Sequence, residues 1–263
     1  MTAATLRLFP RPQQRLVALL STADARSMLQ LFVRVRDRFD TELTAFEFMS
    51  AEAVTMACQH LQKTHPLPDA TGCCVLLELA SLQPGETLND ALLDCLEKAS
   101  EDGLVDEAAM ATSQRQADLF WSVRESVPVA MLQNFPRCSP HDISVPISKI
   151  PDFIDQMQTM TASRWPQLES LVFGHVGDGN LHWNFLAQEA LAPSQFAELA
   201  SEATLCLYEH TVAYGGSISA EHGIGLHKKA LLERFAPEGQ LRLMRALKGA
   251  LDGSGVMNPG KIF

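Results

Sequence analysis

The chain has 263 residues, 46% apolar and 20% charged, and carries 21 Lys plus Arg against 31 Asp plus Glu, a net charge of −10. An acidic chain without a basic cluster is poorly suited to nucleic acid. No apolar run approaches the roughly 20 residues that span a bilayer, and the N-terminus lacks the h-region of a secretory signal. The six cysteines (58, 73, 74, 95, 138, 206) show no CxxC spacing, which fits a reducing, cytoplasmic compartment.

In chain order, residues 1–15 bear proline and arginine and read as a segment leading into the domain. A β-rich run follows at 15–21, then helical periodicity over 24–39 through Met28, Leu29, Leu31, Phe32 and Val35. A second helix lies within 45–62, with Ser50 as its N-cap candidate. Residues 75–82 form a strand bounded by Thr71-Gly72 and Pro84-Gly85, and 89–100 an amphipathic helix. Ser113 opens a long helix that Pro128 is expected to stop. A strand at 142–147, a helix at 150–160, and helices at 195–213, 226–235 and 238–251 complete the pattern, with a hairpin between the second and third of these elements. Strands alternate with helices, yet the clearest turn is a hairpin. The expected fold is therefore α+β, an antiparallel sheet covered on one side by helices, with an added C-terminal helical segment.

That hairpin is LVFGHVGDGNLHWNFL, residues 171–186. A two-residue turn at Asp178-Gly179 would pair 175 with 182. His175 would then stand directly opposite His182 on one face, with Asn184 two residues further along the same face. Two adjacent imidazoles suit a divalent metal and lack only an anionic ligand. The same residues read equally as a polar pair on a half-exposed hairpin. Downstream, SISAEHGIG (217–225) reads as a short strand-like run delivering Glu221 and His222 into a glycine-rich turn. Glu221 would complete a site of two histidines and one carboxylate, with His222 beside it as a base. Taken alone, Glu-His in such a turn is a solvated loop.

Taken together, GHVGDGNLHWN, SAEHGIG, the terminal VMNPGKIF, TAFEFM from Thr44 and HDISVP at 141–146 resemble the C-terminal, substrate-cap half of the FAD-linked 2-hydroxyacid dehydrogenases. That family includes D-2-hydroxyglutarate dehydrogenase, D-lactate dehydrogenase and glycolate oxidase, and the resemblance, closest to the hydroxyglutarate branch, covers essentially the whole chain. It implies a cap domain with ferredoxin-like elements at 16–263, entered through 1–15 from an FAD-binding domain missing here. Neither a GxGxxG fingerprint nor a Walker loop is present.

The resemblance further implies roles. A metal held by His175, His182 and Glu221, zinc or manganese with iron and cobalt also compatible, would polarise an α-hydroxyl and clamp a carboxylate. His222 would take the hydroxyl proton and contact substrate, with the α-hydrogen passing to the FAD. Arg124, in FWSVRES, matches a family arginine that binds substrate carboxylate; by itself it reads as a helix arginine lying over apolar neighbours. Asn184 would donate to substrate, or is an ordinary strand residue. Lys261 would touch the cofactor or the domain interface. Pro128 and Pro140 stand where hydroxyglutarate enzymes carry a threonine and a lysine for the distal carboxylate. A shift toward smaller or monocarboxylate 2-hydroxy acids is therefore expected unless Arg137, which the sequence does not place, substitutes.

Four histidines (His60, His65, His210, His227) read as structural, His141 as standing behind the site, and Lys228-Lys229 as a solvated face. Partners are then a small 2-hydroxy acid and an FAD-binding domain or subunit, plus a homo-oligomer if the cap exposes its apolar docking face. The alternative is a non-catalytic metal-binding remnant or an interaction subunit.

Overall fold

The computed structural model describes residues 3–83 and 87–263; the expected Pro84-Gly85 boundary lies outside them. In chain order the elements are β1 (Gln14–Thr22), α1 (Ala25–Phe39), β2 (Leu43–Ser50), α2 (Ala51–Leu61), β3 (Cys73–Ser81), α3 (Thr87–Glu101), β4 (Glu107–Met110) and α4 (Gln114–Asn134). They continue with β5 (Arg137–Ser144), α5 (Ile150–Arg164), β6 (Glu169–His175), β7 (Asn180–Ala187), α6 (Pro193–Ala213), α7 (Lys229–Phe235) and α8 (Glu238–Leu251). The strands form one sheet of order β4-β1-β3-β2-β6-β7-β5, antiparallel at every pairing.

Local chemistry starts the helices where expected. Asp24 and Ser50 accept from the backbone N–H groups of Ser27 and Ala53, and Ser113 from that of Gln116, each satisfying a donor that the first helical turn leaves free. Pro128 does not stop α4, which runs on to Asn134. The proline removes only the one N–H that would bond the Arg124 carbonyl. Burial of Val123, Val127, Ala130 and Met131 holds the turns on either side of it. β2 and β4 were not expected as strands, and the run at 217–225 keeps a single bridge, Ser144 to Ser217.

The helices cover both faces of the sheet, not one. Along β1, Ala18 and Leu20 pack with α1, α3, α5 and α6. Val17 and Leu19, on the opposite face, pack with α2 and α4. The reason is visible in β3, where Cys74, Val75, Leu76 and Leu77 are all fully buried. A strand without polar alternation is one covered on both sides.

The hairpin turn is longer than two residues. A 3-10 turn over Val176–Asp178 ends at Gly179 with φ 67°, and His175 pairs with Asn180 while Phe173 pairs with His182. The expected register is thus corrected by two residues. An even shift keeps every side chain on its face, so the two histidines become diagonal neighbours on the α2/α4 side. Gly179 is required there because a Cβ would meet the Val145 carbonyl oxygen at 2.2 Å.

Candidate metal centre

His175 ends β6 two residues beyond buried Phe173, and His182 lies four residues before buried Leu186 on β7. Both therefore face the α2/α4 layer at one end of the sheet. Their rings stand 5.4 Å apart, centroid to centroid, nearly perpendicular. One ligand atom each from His175, His182 and Glu221 falls within 4.8 Å of the others. A diagonal pair reaches this geometry because imidazoles are long enough to span the diagonal spacing.

Beneath His175 lies Glu47, on β2, buried and unforeseen as a site residue. Its Oε1 accepts from His175 Nδ1 at 2.9 Å, and Oε2 accepts from Arg124 Nε at 3.0 Å and Nη2 at 2.9 Å. With Glu47 as the acceptor, Nδ1 carries the proton, and in the neutral ring Nε2 offers its lone pair. Nε2 points to Glu221 Oε1, 3.5 Å away. The Glu47 hydrogen bond raises the pKa of His175 against the opposing effect of burial. His182 is moved the other way, by burial first and then by the charges of Arg124 and His175, down to about 4. It is therefore neutral near pH 7 and ready to ligate.

The second residue missed from sequence is Asp142, the direct cross-strand partner of His182. Its Oδ2 accepts from the backbone N–H groups of Ala220, Glu221 and His222, and its Oδ1 from Asn180 Nδ2. Burial alone would raise its pKa, but these donors outweigh it and hold the carboxyl at about 2. The TAFEFM and HDISVP motifs already contained both carboxylates. Their spacing gave no sign of partners so distant along the chain.

The other expected residues fall as follows. His222 is exposed, its ring stacked 6.4 Å from that of His182. Arg124 is buried, grips Glu47, and lies 5.0 Å over the Phe173 ring. Its charge reaches both histidines. Asn184 is buried, and its amide donates to the carbonyls of Leu171 and His182. Arg137 lies an odd number of residues from Asp142 on β5, so it takes the opposite face, where it donates to the Leu191 carbonyl. Lys261 is exposed, and the neighbouring Ile262 N–H donates to Gly225, bringing the terminus beside the glycine-rich turn. His141 is buried against Tyr208 and Thr204 on the far face. Lys228 is no solvated cation; it is half-buried and donates to the carbonyls of Ile218 and Asp142.

The donor set suits a transition metal: two imidazoles, one with its tautomer fixed and one held neutral, and a carboxylate. The family described as FAD linked oxidases, C-terminal domain, matches residues 11–262, and the chain belongs to it. It is 33% identical over 260 residues to D-2-hydroxyglutarate dehydrogenase of Stutzerimonas stutzeri (strain A1501), covering 99% of this chain and 55% of that protein. It is 34% identical over 260 residues to the mitochondrial D-2-hydroxyglutarate dehydrogenase of Rattus norvegicus, covering 99% and 47%. The chain thus spans about half the length of the curated relatives it matches. Among solved structures, p-cresol methylhydroxylase with substrate bound aligns at TM-score 0.69 and 10% identity, over 96% of this chain and 53% of that one, a likeness of fold alone. Among the described residues no helix is long and apolar enough to cross a membrane. Relatives named as mitochondrial leave the expected cytoplasmic compartment without support.

Proposed function

We propose that this chain is the substrate- and metal-binding half of an FAD-dependent dehydrogenase that oxidises a D-2-hydroxy acid to the 2-keto acid, working with a flavin-binding half. The observation that carries this reading is the convergence of His175, His182 and Glu221 within 4.8 Å in a chain whose relatives are D-2-hydroxyglutarate dehydrogenases.

His175, through Nε2, His182 and Glu221 would hold the metal. When bound, the metal supplies a Lewis acid that acidifies an α-hydroxyl, and FAD supplies the electron acceptor. His222, exposed beside His182, removes the hydroxyl proton. Arg124 lends positive charge next to the histidine pair and attracts the substrate carboxylate while remaining anchored on Glu47. Lys261, returned to the glycine-rich turn by the Ile262 bond, faces the flavin side.

Pro128 and Pro140 offer neither cation nor hydroxyl for a distal carboxylate, and Arg137 faces away. The pocket therefore favours smaller or monocarboxylate 2-hydroxy acids. The exposed leucines of α8, Leu243, Leu247 and Leu251, form a stripe for the flavin-binding half to cover.

The test is metal analysis of the purified chain beside His175→Ala and Glu221→Ala. About one equivalent of zinc or another transition metal, lost in both variants, is the expected result. No metal uptake by the unaltered chain would overturn the reading. Calorimetry of the loaded chain with D-lactate and D-2-hydroxyglutarate then decides the substrate preference.

A further inference from the structure

The Glu221–His222 turn has no helix or strand of its own. Its ends are tied down: Ser217 bridges to Ser144, Lys228 Nζ donates to the Ile218 carbonyl at 2.6 Å, and Ile262 N–H donates to Gly225. Ser219 Oγ closes the turn by donating to the Gly223 carbonyl at 2.8 Å, and the three backbone N–H groups of the middle, 220–222, all go to one carboxylate. Asp142 Oδ2 accepts from Ala220 N at 3.1 Å, Glu221 N at 2.8 Å and His222 N at 3.0 Å. Three consecutive N–H groups converging on an anion form a nest, and hydrogen bonds to an ionised acceptor are about twice as strong as neutral ones.

We propose that Asp142 is a positioning residue: a buried anion around which the Glu221–His222 turn is wound, so that Glu221 faces His175 and His222 stands beside His182. The consequence for metal rests on the centre proposed above; the ordering of the turn does not. Asp142 is suited to the task because the sheet ladder sets it directly opposite His182. The same carboxylate therefore fixes the loop relative to the histidine pair. It is not itself a base or a ligand. It is 2% exposed, and with Asn180 Nδ2 on Oδ1 at 2.7 Å its four accepted bonds fill the roughly four lone-pair sites a carboxylate has. His222 Nδ1 stays 4.0 Å from Oδ2, beyond hydrogen-bond reach. Glu221 and His222, in contrast, keep their side chains 49% and 71% exposed, free to act while their backbone is held.

Asp142→Asn tests this in the full chain. The change is nearly isosteric, and Asn180 Oδ1, buried without a hydrogen-bond partner, can accept from the new amide if the Asn180 amide turns over, at the loss of the bond its Nδ2 makes to the Ile143 carbonyl. The variant thus removes the charge with little change of shape. Hydrogen exchange should quicken about tenfold or more at the amides of Ala220, Glu221 and His222, with sheet amides such as Trp183 unchanged. Exchange within about twofold of the parent at those three would overturn the proposal. Asp142→Glu, which keeps the charge but displaces it by one methylene, replaces the first variant if that does not fold, and is judged by the same criterion.

Cobalt(II) titration supplies the second arm. Asp142→Asn and Glu221→Gln should each weaken binding, and the double variant should be no weaker than Glu221→Gln alone, to within about twofold. Losses that multiply would show two independent effects and overturn the positioning role. If the parent chain binds no cobalt, the metal centre fails, and the exchange data decide the role of Asp142 without it.

Discussion

Glu47 receives His175 on one carboxylate oxygen and Arg124 on the other, the His175 Nδ1 contact at 2.9 Å. One buried anion therefore sets the tautomer of a proposed ligand and neutralises a buried guanidinium. Glu47→Gln keeps the shape and removes the charge. Zinc affinity, measured by competition with a chromophoric chelator, should fall about 10- to 100-fold. The uncompensated Arg124 should lower unfolding free energy by about 3 kcal/mol in a urea titration. Unchanged zinc affinity would mean that His175 is oriented without Glu47.

The turn between the two histidine strands depends on a left-handed residue. Gly179→Ala puts a methyl group at φ 67° and 2.2 Å from the Val145 carbonyl oxygen. Strain and clash together should lower stability by about 2 kcal/mol or more, read as a drop in melting temperature. A variant as stable as its parent would mean that the turn has a second conformation of equal energy.

Acid should unfold this protein earlier than its carboxylates alone would. Burial, helped by the charge of Lys228, lowers the His141 pKa from 6.5 to about 4. The unfolded chain then binds the proton first, so stability is intact above about pH 6.5 and falls as pH drops toward 4. At 1.36 kcal/mol per unit the loss is about 3 kcal/mol. His182, also near 4, adds to it in the same window. Asp142 acts lower down: its pKa falls from 3.8 to about 2, so its contribution is present above pH 3.8 and is lost as pH falls to 2. Urea midpoints at pH 7.5, 5.5 and 4.5 should trace the decline, and His141→Gln should flatten part of it. A flat parent profile over that range would contradict the burial argument.

Pro128 interrupts the backbone ladder of α4 at the Arg124 carbonyl. Pro128→Ala restores that hydrogen bond and should raise stability by about 1–3 kcal/mol. Equal stability would show that the carbonyl has found another donor.

Much of the fold was legible locally. α8 begins at Glu238 and ends at Leu251 as its periodicity predicts, and Ser50 and Ser113 cap the helices they precede, because capping is chemistry within three or four residues. The reading failed where local rules give way to packing. Pro128 looked like a stop, but tertiary burial holds the helix across it. The two-residue hairpin was the wrong turn, though the shift was even and left the histidines on one face. The apolar runs of β1 and β3 lack alternation because both faces of the sheet are buried there.

The residue types fixed the chemistry open to this site: two imidazoles, a carboxylate and a spare histidine, in motifs that also marked the family. Only the tertiary structure decided which buried anions support them. Glu47 lies 128 residues from His175, and Asp142 lies 80 from His222, so no local pattern could join them. Only folding makes them neighbours, and the same folding sets the protonation of His175 and His182 in opposite directions. A charge's effect depends on its distance and on the water excluded around it, and both are properties of the packed sheet.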